Sequence, residues 1–421
     1  MQQSISYIIR FLFGEDLPDS VFERIGYTNN ADEYEKYEVV IVRSDFFDDD
    51  KYGKKEFMPQ LPLKSLDGMP FVFGDSRFEH LGDTLVIYAD LVASAYFLVS
   101  RYEEWLSPLR DEHGRFLAKY SILKEANLLQ RPLVDEYRMW LRIKLQTFHP
   151  ELPSVRAQFS KIYLTHDVDV PFVCRSWRNV LSSVLRGEFG IFSALKYHFA
   201  DIRKNPYFTF PYIFEQNKHI DAQSVIFVKS GGNARNDRPF YDLNSDDIQT
   251  LFDMAKANGV QIGLHASYAS AQKLIDVRVE KKSLENAVRD KVTTNRCHYL
   301  RTCNPQDFTA FDACGITDDF TMAFADEAGF RLGTCYSVRY INPVDGSLHA
   351  LHLHPLALMD VTLEKYMRLS GENALNFSMN MLQTIKSVGG EVTLLWHNNS
   401  FYTSGDYHRP LYKTLLKTLK K

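Results

Sequence analysis

Asp167 and Asp169 are the residues of this chain best placed to do chemistry. They close the apolar run Lys161-Ile-Tyr-Leu-Thr-His-Asp-Val-Asp169 and are separated by one residue. A β-strand there sends Tyr163, Thr165, Asp167 and Asp169 to one face, and Ile162, Leu164, His166 and Val168 to the other. The two carboxylates then stand side by side at the strand's C-terminal end, where parallel α/β folds gather their catalytic groups. Adjacent carboxylates repel unless a proton or cation sits between them, so the pair points to a metal, a shifted pKa, or both. A solvated strand end running into the turn at Pro171 is the competing reading. His166 faces away from the pair and reads as a packed core histidine.

The same strand-end rule returns further polar residues. The run 260–265 delivers His265, the run 292–298 delivers Arg296 and His298, and the run 391–397 delivers His397. One histidine at a strand end is more often structural than a ligand. Several of them, with two carboxylates at the same end of consecutive strands, are the ingredients of a zinc-type site with a position left open for water.

The elements that must position these groups alternate. Strand 161–169 is followed by a long amphipathic insertion, 177–219, and then by strand 224–228 with its Gly231-Gly232 loop. Ser245 opens a helix with the apolar stripe Ile248, Leu251, Phe252 and Ala255, closed by Asn258-Gly259. Helices are expected over 281–290, from Asn304-Pro305 to Gly315, and over 373–388. Repeated strand–helix alternation predicts a parallel α/β sheet or barrel over 151–421. Residues 1–150 have a different rhythm: a strand over 38–43, an acidic loop through Asp48, Asp49 and Asp50, one long helix over 89–105, and a helix from Pro132. They read as a smaller mixed α/β domain of unknown role.

Composition narrows the class. A chain of 421 residues favours two domains. Its 45% hydrophobic and 24% charged residues are those of a soluble globular protein. A net charge of −4, with no basic tract beyond Lys417, Lys420 and Lys421, excludes a nucleic-acid footprint. Five cysteines without a C-x-x-C pair argue against a disulfide framework and a structural zinc knuckle. The N-terminus does not read as a signal peptide and no run reads as a membrane span, so a cytoplasmic location is expected.

In the order of these motifs, residues from about 158 to 400 resemble the NodB-type polysaccharide deacetylases (carbohydrate esterase family four). The whole chain resembles a bacterial subgroup carrying an extra N-terminal domain. The resemblance rests on Thr165-His-Asp-Val-Asp169, Gly263-Leu-His265-Ala-Ser-Tyr268, Arg296-Cys-His298-Tyr-Leu-Arg301, Gly333-Thr-Cys-Tyr336 and Leu394-Leu-Trp-His397-Asn398. In the first domain it rests on Arg101-Tyr-Glu-Glu104 and Arg131-Pro-Leu-Val-Asp-Glu-Tyr137. It implies a distorted (β/α) barrel of the deacetylase type and a divalent metal, most simply Zn²⁺.

By order, Asp167 resembles the family's base and Asp169 its metal ligand, although the inserted Val168 permits the exchange. Position 269, where the family's second motif places another histidine, is alanine here, and His298 is the replacement at hand. The implied ligands are Asp169, His265 and His298. Arg296 pairs with Asp167, the Tyr299 backbone N–H serves an oxyanion, and His397 is the general acid. Asp360 either orients His397 or lies in a surface loop.

The implied reaction removes acetyl groups from N-acetylated sugars of a polysaccharide or its precursor. A non-catalytic carbohydrate-binding or assembly protein on a degenerate scaffold is the alternative, motivated by Ala269. A glycoside hydrolase using Asp167 and Asp169 is a third, disfavoured because carboxylates spaced i,i+2 on one strand share a side. Among other polar groups, His352 and His354 are expected at a turn around Pro355. Arg101, Glu103 and Glu104 are expected as a salt-bridged helical surface. Cys297 and Cys303 lie near the site without a base to activate them.

Overall fold

The computed structural model describes residues 1–270 and 273–420. Helix Gln2–Phe13 turns Ile5, Ile8, Phe11 and Leu12 inward at helical spacing, and packs against helices Leu91–Val99 and Leu133–Leu145. Six strands lie between the first two of these helices: β1 (Ile25–Thr28), β2 (Val39–Val42), β3 (Lys64–Leu66), β4 (Met69–Phe71), β5 (Gly74–Leu81) and β6 (Thr84–Ala89). They form a four-stranded sheet in the order β1-β2-β6-β5, in which only β5 runs antiparallel, and the small hairpin β3-β4.

The single helix expected over 89–105 is instead two, Leu91–Val99 and Tyr102–Leu106. Asp90 caps the first by accepting from the Ala93 N–H, and the chain breaks at Arg101, whose φ is +60°. The break turns Arg101 inward, so Arg101 and Glu104 are buried rather than a surface ion pair. Glu104 there accepts from both Arg101 and Arg331, and Arg101 also donates to Thr302 Oγ1. Glu103, half-buried, accepts from the Ile122 N–H and Ser121 Oγ at the start of the helical turn Ile122–Glu125.

The second sheet has nine strands: β7 (Lys161–Val168), β8 (Gln223–Val228), β9 (Gln261–Ala266), β10 (Thr294–Cys297), β11 (Asp318–Met322), β12 (Val338–Ile341), β13 (Leu348–Pro355), β14 (Leu358–Met359) and β15 (Glu391–Leu395). The order is β12-β13-β11-β10-β9-β8-β7-β15-β14, parallel throughout except for β12. The sheet is curled. One segment spans its two ends: Pro355 pairs with Met322 of β11, and three residues later Leu358 pairs with Leu394 of β15. His352 and His354 are therefore on a strand, not at a turn. His354 is buried, bonded to Asp318 at 2.8 Å and stacked on Phe320.

Inside the curl, Tyr163, Val225, Phe227 and Phe320 form a small apolar floor. Gly263 makes room for it, since a Cβ there would meet the Phe227 ring at 2.7 Å and Thr294 Oγ1 at 2.5 Å. Helix bounds moved as well. The expected 281–290 helix begins at Leu274, and the 373–388 helix runs Gly371–Ser387. The Asn304-Pro305 start opens a 3₁₀ turn with a capping box before helix Phe308–Ala313. No helix among the described residues is long and apolar enough to cross a membrane.

Candidate metal centre and active site

β7 alternates as its sequence requires. His166 leaves the site, is fully buried, and bonds the Trp396 carbonyl at 2.8 Å. Its removal from water pushes the imidazole down to about 4 despite that bond. Thr165 and Asp167 point inward to Arg296, which is completely buried: Nη1 donates to Asp167 Oδ1 at 2.8 Å, Nη2 to Thr165 Oγ1 at 2.8 Å, and Nε to the Phe320 carbonyl at 3.0 Å. The guanidinium rests on the Phe227 ring. With Oδ1 committed to Arg296, Asp167 Oδ2 faces His265 Nε2 at 3.6 Å and His397 Nε2 at 4.0 Å.

Asp169 sits just beyond β7. Its Oδ1 lies 3.2 Å from His265 Nε2 and 3.4 Å from His298 Nε2. One ligand atom from each of these three residues falls within 4.8 Å of the others. Among the described residues Asp169 Oδ1 and His265 Nε2 are buried without a hydrogen-bond partner, a costly arrangement for a pair that no cation joins. Each imidazole is oriented by its other nitrogen: His265 Nδ1 by the Arg296 carbonyl at 2.8 Å, His298 Nδ1 by Asp237 Oδ1 at 3.0 Å. Burial opposes the charge on Asp169, but His298 and His265 outweigh it and hold the carboxyl well below its ordinary range. Burial likewise lowers His298, while Asp169 and Asp237 lift it further, to about 9.

His397, two residues past β15, approaches Asp169 Oδ2 at 3.6 Å from the opposite wall. Asp360 is fully buried and not in a surface loop. It accepts from His397 Nδ1 and from the His397 N–H, both at 2.8 Å, and from Ser400 Oγ at 2.6 Å. Burial lowers His397, but Asp360 and then the two site carboxylates raise it to about 10.

Tyr299 and Leu300 follow His298 in two consecutive left-handed conformations, with φ of +63° and +51°, a strained turn for residues bearing Cβ atoms. The Tyr299 carbonyl accepts from Arg115 Nη1 at 3.0 Å, and its ring packs edge-on to His298 and Tyr268. Asp167, Asp169, His265, His298, Tyr299 and His397 line a cleft of about 340 Å³, with Arg115, Asn236, Arg238, Met359 and Tyr366 among its remaining walls.

All eight residues singled out from the sequence thus meet here: Asp167, Asp169, His265, Arg296, His298 and His397 in contact distance of one another's groups, Tyr299 beside them, and Asp360 behind His397. Position 269 is alanine and contributes no imidazole, while His298 brings a second imidazole to Asp169. Sequence reasoning missed Asp237 and Arg115. Asp237 was accessible to the strand-end rule, since it lies in the loop that follows β8. Arg115 was not, because it arrives from the first 150 residues, 184 positions from Tyr299.

Comparison with known proteins adds the following. Residues 2–150 match a Family of unknown function (DUF7033). No curated protein matches the chain. Among solved structures, the chain is similar to that of a "putative polysaccharide deacetylase from Mycobacterium smegmatis", at 14% identity and a TM-score of 0.40, over 64% of this chain and 85% of that one. It is also similar to the structure of Puue Allantoinase, at 12% identity and a TM-score of 0.39, over 64% of this chain and 86% of that one.

Proposed function

We propose that this protein is a metal-dependent hydrolase that removes acetyl groups from N-acetylated sugars of a polysaccharide or its precursor. The convergence of Asp169, His265 and His298 on one point beside Asp167 carries the reading. A carboxylate and two imidazoles, two of their atoms buried without hydrogen-bond partners among the described residues, suit a divalent ion, most simply Zn²⁺. When bound, that ion supplies Lewis acidity toward the amide carbonyl and lowers the pKa of water.

The chain's own residues supply the rest. Asp167 Oδ2 accepts the proton of the attacking water, because Arg296 engages Oδ1 and fixes the carboxyl plane. His397, kept protonated and oriented by Asp360, gives a proton from Nε2 to the departing amine. The Tyr299 backbone N–H is the proposed oxyanion donor, and Arg115 holds its turn in place through the Tyr299 carbonyl. Tyr299, Tyr366, Asn236 and Arg115 offer the mixture of rings and polar groups that a sugar needs.

Two other readings lose ground. The degenerate-scaffold reading rests on Ala269, and the approach of His298 Nε2 to Asp169 at 3.4 Å supports a second imidazole ligand despite it. The glycosidase reading needs carboxyls on opposite sides of a bond, whereas Asp167 and Asp169 both approach the same His265 nitrogen. The test is metal content and acetate release from an N-acetylated oligosaccharide in His265→Ala and His298→Ala. Loss of both is expected; unchanged metal content with unchanged acetate release would overturn the proposal.

A further inference from the structure

The insertion between β7 and β8 carries a surface that the proposed chemistry does not use. Helices Trp177–Leu185 and Ile191–Phe199 form an antiparallel hairpin with a small core of its own, Val173, Cys174, Val180 and Ala194, apart from the main one. The hairpin is firmly placed. Arg175 pairs with both carboxylate oxygens of Asp247 and donates to the carbonyls of Tyr197, His198 and Ala200. Phe189 and Tyr207 lie against Tyr402, in the helical turn that follows His397.

Its outer face is apolar. Trp177, Leu181 and Leu185 repeat at i, i+4 and i+8 on one helix, and are 61%, 62% and 77% exposed. Ile191, Phe192 and Phe199 on the other are 47%, 86% and 73% exposed, and Trp177 touches Phe199 across the two helices. Large apolar side chains grouped in this way mark an interaction surface rather than ordinary scatter.

Charge identifies what covers it. The stretch 175–204 holds six Lys/Arg and two acids, a balance of +4 inside a chain of net −4. Arg178, Lys196 and Lys204 have no ion pair among the described residues, and all three are exposed. A Trp/Phe/Leu face bordered by free cations on a helix pair too short to span a bilayer is the pattern of a helix that lies in the membrane interface.

We propose that this hairpin docks the protein on an anionic phospholipid surface, its apolar face at the boundary between headgroups and acyl chains and its cations among the headgroups. The inference does not rest on the deacetylase reading.

Co-sedimentation of the full-length protein with vesicles tests it. Binding is expected to vesicles of phosphatidylglycerol and phosphatidylcholine in equal parts, and much weaker binding to phosphatidylcholine alone. Leu185→Glu with Phe192→Glu should abolish binding while leaving the thermal melt unchanged, because both side chains are exposed. Arg178→Gln with Lys196→Gln and Lys204→Gln should lower the partition coefficient roughly a hundredfold. Trp177 emission should shift to the blue on anionic vesicles, and Trp177→Phe should remove the shift. The proposal is overturned if the wild type stays in the supernatant with both vesicle types. It is overturned equally if the wild type self-associates in sedimentation velocity and the Leu185→Glu, Phe192→Glu variant does not, which would assign the face to a second copy of this chain.

Discussion

His397 and Asp360 show how one buried carboxylate sets the working range of a neighbouring acid. Burial alone would lower the imidazole, and Asp360 reverses this and brings it to about 10. A general acid must be protonated to act, so activity falls as pH rises through its pKa. Asp360→Asn removes the largest raising influence, and the alkaline limb of the pH–rate profile should move toward the ordinary imidazole range. A Ser400→Ala control, which removes one hydrogen bond but no charge, should leave that limb in place. At Asp167, the Asn variant should retain metal, because Asp169, His265 and His298 are untouched. Its kcat should fall roughly 10²–10⁴-fold. Parallel metal analysis and acetate assays would show whether binding and turnover separate in this way.

At the scale of elements, much of the site was legible because strands impose a period of two. That period alone places Thr165 and Asp167 inward and His166 outward, and the structure agrees residue by residue. It could not foresee the break at Arg101. The apolar pattern over 89–105 is continuous, and the partners that receive the turned-in residues are distant in sequence: Thr302 is 201 positions from Arg101 and Arg331 is 227 from Glu104. Arg115 stayed hidden for a similar reason, since its partner Tyr299 lies 184 positions away.

The Arg101 break also predicts a stability phenotype. Burial raises the Glu104 carboxyl, but Arg101 and Arg331 outweigh it and hold the group at about 2, against an ordinary 4.5. A carboxyl depressed on folding stabilises the protein above its unfolded value, and that contribution is lost as pH falls from about 4.5 toward 2. Glu104→Gln leaves two buried guanidiniums unbalanced and should cost about 3–5 kcal/mol at neutral pH. Urea melts of both proteins should show that gap narrowing on acidification through this window.

For the whole molecule, the question is whether residues 151–421 can stand without the first 150. The motifs that looked like separate signatures in the sequence meet one another across this division. Asp135 of the Arg131–Tyr137 motif accepts from Thr334 Oγ1 at 2.6 Å and from the Cys335 N–H at 2.8 Å, both in the Gly333–Tyr336 motif. The Val134 N–H donates to the Gly333 carbonyl, and a Cβ at Gly333 would strike Leu98 at 2.7 Å. Tyr7 of the first helix accepts from the Arg339 N–H at the edge strand β12. One continuous hydrophobic core includes Ile8, Leu98 and Val134 together with Phe330, Leu332 and Val338. Removing residues 1–150 would expose that shared surface and strip Arg115 from the Tyr299 turn. The fragment 151–421 should therefore be insoluble, or melt without a cooperative transition in circular dichroism, whereas the full chain melts in one step. Asp135→Ala tests the same junction in the intact chain. It leaves Thr334 Oγ1 and the Cys335 N–H buried without their acceptor and should cost about 1–3 kcal/mol. A fragment that melts cooperatively at the temperature of the full chain would instead show that the curled sheet folds alone and that the first 150 residues only trim its cleft.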